Sequence, residues 1–193
     1  MKMPASKKVD YLCELLDAIQ DTSQLELCSY YKVPEDGSYP FIPLRTKRFV
    51  AALSIAMELA QPNRLGRPNF LDVGCGDGTK VLIASAFGCN ASGIEHDPEC
   101  VKRARSLYRR TSIETVDALQ YEHYGDFDIV YFYCPIRDTE KQILLEQRIA
   151  SQVRPGTILI QFLKKNVDLR GAPREPDLEI VNNTLCIYRK KAV

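Results

Sequence analysis

The sequence predicts an α/β fold: a doubly wound, mostly parallel sheet with helices on both faces. Three observations predict it. Short apolar runs alternate with helical stretches from about residue 46 onward, one run ends in a glycine cluster that opens a helix, and the chain finishes in two strands joined by a turn.

The elements follow in order. Residues 9–20 carry Val9, Leu12, Leu15, Leu16 and Ile19 on one helical face. Residues 33–43, rich in proline, glycine and aromatics, read as a loop. Thr46 is then placed to cap a helix through Phe49, Leu53 and Met57 to about Ala60. Residues 69–73 (Asn-Phe-Leu-Asp-Val) form a short buried strand, 80–87 a helix and 91–95 the next strand. Asp97-Pro98-Glu99 is a helix start, with an acid at the N-cap, proline at the first helical position and another acid in the first turn. That helix runs to about Arg109. Residues 112–116 and 127–133 give two further strands, 139–152 a helix marked by Ile143, Leu144 and Ile149, and Arg154-Pro155-Gly156 turns into strand 157–162. The end differs: strands 178–181 and 185–189 flank Asn182-Asn183-Thr184, which predicts an antiparallel pair closing the sheet.

Composition bounds the function. The 193 residues suffice for one domain, read as an N-terminal helix and lid-like loop over 1–45 and the α/β unit over 46–193. A net charge of +1 names no polyanionic partner. The seven cysteines show no C-x-x-C spacing and the only histidines are His96 and His123, so no metal site is expected and reduced thiols in the cytoplasm are. Met1–Lys8 is basic but leads into Val9-Asp10-Tyr11 rather than an apolar stretch, so neither a secretory signal nor a membrane span is expected.

The chemistry concentrates in Asp72-Val73-Gly74-Cys75-Gly76-Asp77-Gly78-Thr79-Lys80, which follows a strand and opens a helix. Glycines there let the backbone turn tightly and approach a ligand. A dinucleotide loop spaces its glycines G-x-G-x-x-G to hold a pyrophosphate. Here Gly78 comes one position early and Thr79 stands at the third site. Asp72 and Asp77 would repel a pyrophosphate and attract an ammonium or sulfonium, so a nucleoside carrying an amino acid is the better ligand. Glu95 ends the second strand 21 positions after Gly74, where an acid accepts hydrogen bonds from ribose hydroxyls. Asp117-Ala118, after the third strand, falls in the same row on the adenine side. A nicotinamide-dependent oxidoreductase is the rival enzyme reading, and a non-catalytic binding protein the rival outside enzymes.

These segments together resemble the class I S-adenosylmethionine-dependent methyltransferases over about residues 65–190. Leu71–Gly78 looks like their first motif, Glu95 their ribose-binding acid, Asp117-Ala118 their adenine-side motif, residues 127–135 their fourth-strand motif, and Arg154-Pro155-Gly156-Thr157 the turn before their fifth strand. The resemblance implies a Rossmann-like, seven-stranded sheet with its last strand antiparallel, and S-adenosylmethionine as cofactor. It carries the cofactor role to Asp72, Gly74, Cys75, Gly76, Asp77, Glu95, His96, Asp117, Ala118 and Tyr133.

The acceptor is expected over the end of the fourth strand, at Tyr131–Ile136, with Tyr133 and Cys134 as candidate catalytic residues and Tyr39, Tyr133 and Pro135 as candidate substrate contacts. Nucleic-acid amine methyltransferases typically carry an Asp or Asn, two prolines and an aromatic residue there. Cys134 and Ile136 depart from that pattern, which disfavours a nucleobase. Gly37-Ser38-Tyr39-Pro40-Phe41-Ile42-Pro43 resembles the tyrosine-and-proline motif of small Dot1-like protein-lysine methyltransferases, although their threonine-proline pair is missing. The acceptor favoured is therefore a protein lysine amine, slightly ahead of a small molecule. Lys164, Lys165, Arg170 and Arg174, and the terminal Arg189-Lys190-Lys191, read as solvated positive charge, the first group placed to steer an acidic substrate.

Overall fold

A computed structural model describes residues 9–18, 44–60, 66–109, 111–168 and 171–192. Its helices are α1 (residues 9–18), α2 (Thr46–Leu59), α3 (Thr79–Ala86), α4 (Pro98–Leu107) and α5 (Thr139–Gln152). Its strands are β1 (Asn69–Val73), β2 (Asn90–Glu95), β3 (Ser112–Thr115), β4 (Ile129–Tyr133), β5 (Ile158–Phe162), β6 (Leu178–Asn182) and β7 (Ile187–Lys190).

The strands form one sheet in the order β3-β2-β1-β4-β5-β7-β6. The first five are parallel, and β7 enters antiparallel between β5 and β6. The strand order reverses between β1 and β4, because β1 continues to β2 on one side and pairs with β4 on the other. Ligands bind at such a switch point, outside the carboxyl ends of the strands. The glycine loop leaves β1 there.

Alternation of side chains divides the core. Phe70, Tyr131, Ile160 and Phe162 face α2 and α3, while Leu71, Val73, Val130, Phe132 and Leu159 face Leu145 and Ile149 of α5. Phe49 of α2 locks onto the first face with its ring centroid 4.9 Å from Tyr131 and 6.1 Å from Phe70. Each buried aromatic ring contributes about 2–3 kcal/mol.

Local signals behave unevenly. Asp97 caps α4 as its sequence predicts, accepting from the Glu99 N–H at 2.8 Å. Thr46 does not cap α2. Arg45 holds the N-cap position without a side-chain hydrogen bond, and Thr46 is the first helical residue, fully buried. Its N–H is satisfied by Asp17 of α1 at 2.8 Å and its hydroxyl faces Lys80 Nζ at 3.4 Å, so long-range partners replace the local cap. β4 starts two residues later than expected, at Ile129, while Asp128 accepts from the Asn69 N–H through its side chain at 2.8 Å. β7 starts at Ile187 because Cys186 adopts a φ of +53°. No described helix is long and apolar enough to cross a membrane.

Candidate active site

The glycine loop is shaped by what surrounds it. Gly74 has a φ of +75°, and a Cβ there would stand 2.5 Å from Pro135 Cβ, so the loop lies directly against the segment that follows β4. Gly78 has a φ of +76°, and its Cβ would stand 2.6 Å from Ile113 Cδ1. These are backbone conformations and approaches that only glycine accepts without strain.

The acid after β2 belongs to the same unit. Glu95 Oε2 accepts from the Gly76 N–H at 2.9 Å, and Oε1 accepts from the N–H groups of His96 at 2.8 Å and Asp97 at 3.1 Å. His96 thus enters through its backbone. Three N–H bonds leave the carboxylate one of its roughly four acceptor positions, on Oε2. Asp117 sits half-buried after β3, its Oδ1 accepting from the Leu119 N–H at 2.8 Å, while the Ala118 carbonyl accepts from Tyr124 Oη at 2.8 Å.

Two carboxylates lie beneath. Asp77 is buried and its Oδ1 accepts from the Thr79 N–H at 3.0 Å, closing the amino end of α3 from within. Asp72 is 2% exposed. Burial holds its carboxyl well above the usual range; Lys80 pulls it part of the way back, and Glu95 and Asp77 push it further up. Burial in turn lowers the Lys80 ammonium, against the pull of Asp77, Asp17 and Asp72. Lys80 is a site residue that sequence reading missed. Its only signal was a lysine directly after the glycine loop, at a position that reads equally well as a solvated first helical turn. Cys75 is buried in the loop, and burial, with Asp72 next, keeps its thiol protonated.

These features test the two nucleotide ligands. A pyrophosphate at the start of α3 would meet the Asp77 carboxylate that already caps it. An amino-acid nucleoside with a positive charge fits the donor set: Asp72, Asp77 and Glu95 lie together at a loop of left-handed glycines, and Asp117 follows the neighbouring strand β3. The residues present therefore fit S-adenosylmethionine.

The segment after β4 is tightly turned. Tyr133 is half-buried with its ring centroid 6.3 Å from Phe162 in an edge-on arrangement. Cys134 adopts a φ of +45° with its side chain buried. Burial raises its thiol, Lys165 offsetting part of the rise, so it is poorly suited to act as a thiolate nucleophile. Tyr39 and the 37–43 motif lie outside the described residues.

The basic groups are not what the sequence suggests. The Lys164 side chain is 3% exposed and paired with Glu175 at 2.8 Å and Glu146 at 3.3 Å. Lys190 is buried, bonding to Asp177 and the Ala150 carbonyl. Both were expected in solvent; the fold surrounds each with acceptors that lie far away in the chain. Lys165 and Arg174 are exposed, and Arg170 lies outside the described residues.

A switch-point site with a glycine cradle and acids along successive strands is the arrangement in which open α/β sheets bind their ligands. Residues 71–161, a little under half of the chain, match the family described as Methyltransferase domain. Among its relatives, norajmaline N-methyltransferase from Rauvolfia serpentina is 31% identical over 129 residues, 61% of this chain and 44% of that protein. Ribosomal protein L11 methyltransferase from Paraburkholderia phytofirmans is 31% identical over 104 residues, 53% of this chain and 34% of that protein. The chain thus spans less than half the length of these relatives. In fold it resembles the PH0226 protein from Pyrococcus horikoshii OT3, with a TM-score of 0.50 at 18% identity, over 69% of this chain and 64% of that one.

Proposed function

We propose that the protein transfers the methyl group of S-adenosylmethionine to an amine nitrogen, with a protein lysine as the acceptor favoured over a small-molecule amine. The observation that carries the transfer is the group of carboxyls, Asp72, Asp77 and Glu95, gathered at the glycine loop, which suits a sulfonium-bearing nucleoside and opposes a phosphate. The amine reading draws on the two relatives, one named for N-methylation and one for a ribosomal protein.

Bound there, the cofactor supplies a methyl carbon on a positively charged sulfur, already activated toward a nucleophile's lone pair. The chain's own residues have the remaining tasks. Glu95 holds the ribose through the acceptor position its backbone bonds leave open. Asp117 and Ala118 face the adenine, while Gly74, Cys75 and Gly76 let the backbone approach. Asp72, beside Lys80, and Asp77 set the negative field under the amino-acid end. Tyr133 and Pro135 wall the acceptor, aligning it and excluding water, which is the main requirement when the leaving group needs no further activation. The Tyr131–Ile136 segment offers no carboxylate to hold a nucleobase amine, which favours an acceptor that reaches the site as a free amine.

Thermal unfolding with S-adenosylmethionine, S-adenosylhomocysteine and NADH is the first test. At about 100 times Kd a ligand adds roughly 2.7 kcal/mol, which raises Tm by about 5–10 °C for a chain this size. A rise with the first two and none with NADH is expected; no rise with the first two would sink the proposal. Radiolabelled methyl transfer to lysine-bearing proteins and to small amines then separates the acceptors, with label expected on protein.

A further inference from the structure

The turns that follow β4 and β5 share an unusual backbone. Tyr133 and Phe162 are register partners at the ends of the two strands. The next residue in each, Cys134 at a φ of +45° and Leu163 at +55°, lies in the left-handed region without being glycine. A left-handed residue with a Cβ costs about 1–2 kcal/mol, so two of them side by side need something to hold them.

What holds them is on α5. Glu146, whose side chain is fully buried, accepts from the Lys165 N–H at 2.9 Å, the Asn166 N–H at 2.8 Å and Lys164 Nζ at 3.3 Å. It also accepts from Gln142 Nε2 at 3.1 Å, one helical turn earlier. Gln142 Oε1 in turn accepts from the Ile136 N–H at 3.1 Å. Ile136 follows Pro135, the residue that lies against Gly74 of the cofactor loop. One buried carboxylate therefore reaches both turns, and through Pro135 the glycine loop.

Glu175 completes the cluster, accepting from Lys164 Nζ at 2.8 Å and Asn166 Nδ2 at 3.0 Å. Its Oε2 and the Gln161 Nε2 are buried with no protein partner among the described residues. A buried ionic cluster that leaves polar atoms unpaired is a poor source of stability, since an apolar replacement of the same shape often does as well or better. Fixing position is the better account of it.

We propose that Glu146 is a positioning residue for methyl transfer: directly at residues 164–166, and through Gln142 at Ile136, it holds the two left-handed turns that wall the acceptor beside the cofactor loop. The functional half of this inference rests on the methyltransferase reading; the clamp itself is testable without it.

The test is a double-mutant cycle read by thermal unfolding. Leu163→Gly removes the strain at one turn, and the extra freedom of glycine in the unfolded chain is common to both backgrounds and cancels. Leu163→Gly is expected to be more favourable in the wild type than in Glu146→Gln by about 2–4 °C in Tm, the shift that roughly 1 kcal/mol gives at this size. Gln142→Leu is the milder second background. It should abolish the corresponding gain from Cys134→Gly and leave that from Leu163→Gly intact. Equal effects of Leu163→Gly with and without Glu146 would overturn the clamp. For the reaction, Glu146→Gln should bind S-adenosylhomocysteine within about threefold of wild type, while label transfer to the amine and lysine-protein panel falls at least tenfold in kcat. Unchanged kcat would overturn the positioning role. Failure of the wild type itself to bind S-adenosylhomocysteine would instead refute the methyltransferase reading, leaving the thermal cycle to decide the clamp.

Discussion

The Gly76 N–H donates to the Glu95 carboxylate across 2.9 Å, which makes the glycine loop after β1 and the acid that ends β2 one hydrogen-bonded unit. The acid that would hold a ribose also fixes the backbone that would admit the rest of the nucleoside. Replacing it therefore disturbs two things at once.

Glu95→Gln puts an amide NH2 among three backbone N–H donors that now converge on the carboxylate. At least one buried or half-buried donor loses its partner, at a cost of about 1–2 kcal/mol. Isothermal titration should show S-adenosylhomocysteine affinity reduced at least tenfold, with a fall of a few degrees in Tm. Wild-type affinity in this variant would remove Glu95 from the ribose site.

Gly74→Ala is expected to be worse for folding. Its new Cβ would lie 2.5 Å from Pro135 Cβ at a φ of +75°, adding a clash to a strained backbone. A loss of about 2–4 kcal/mol by denaturant unfolding is expected. Adding Pro135→Gly removes the opposing carbon and should recover part of that loss; no recovery would mean that backbone strain alone carries the cost.

Asp72 gives a pH signature. Burial holds its carboxyl well above the ordinary value, with Lys80 opposing. An acid raised on folding binds more protons folded than unfolded. Its contribution to stability therefore falls as pH climbs from about 4, the ordinary carboxylate value, through the raised folded value, and stays lowered above it. Asp72→Asn removes this loss and leaves Lys80 with Asp77. The variant should gain steadily on wild type as pH rises through that window, while binding S-adenosylhomocysteine more weakly. A relative gain that shrinks with rising pH would contradict the assignment.

Asp128 serves as a structural control at the other end of the sheet. It is 4% exposed, accepts from the Asn69 N–H at 2.8 Å and pairs with Arg154, tying β1 to the turn before β5. Asp128→Ala leaves a strand-end donor unpaired and should cost about 2 kcal/mol in denaturant unfolding. Cofactor affinity of the folded fraction should not change, because among the described residues no candidate site residue bonds to this pair.

By itself, the sequence determined the alternation of strands and helices, the glycine loop and the row of acids, because each is written in local spacing. A strand is a short apolar run, a tight turn needs glycine, and a residue at a strand end emerges on the ligand side of the sheet. The Asp97-Pro98-Glu99 start was equally local, and α4 begins where it says. Tertiary structure alone decided the fate of the charges. Lys164 and Lys190 read as solvated because lysine usually is, yet each is buried beside acceptors brought by distant elements: Glu146 and Glu175, and Asp177 and Ala150; Lys80, which sequence reading gave no role, is likewise buried against Thr46. Thr46 lost its predicted cap for the same reason, since Asp17 of α1 supplied the acceptor for its N–H. The left-handed turns at Cys134 and Leu163 carry no glycine to announce them. A charge or a strained φ is tolerated only where long-range neighbours compensate it, and spacing along the chain does not record which neighbours the fold will bring.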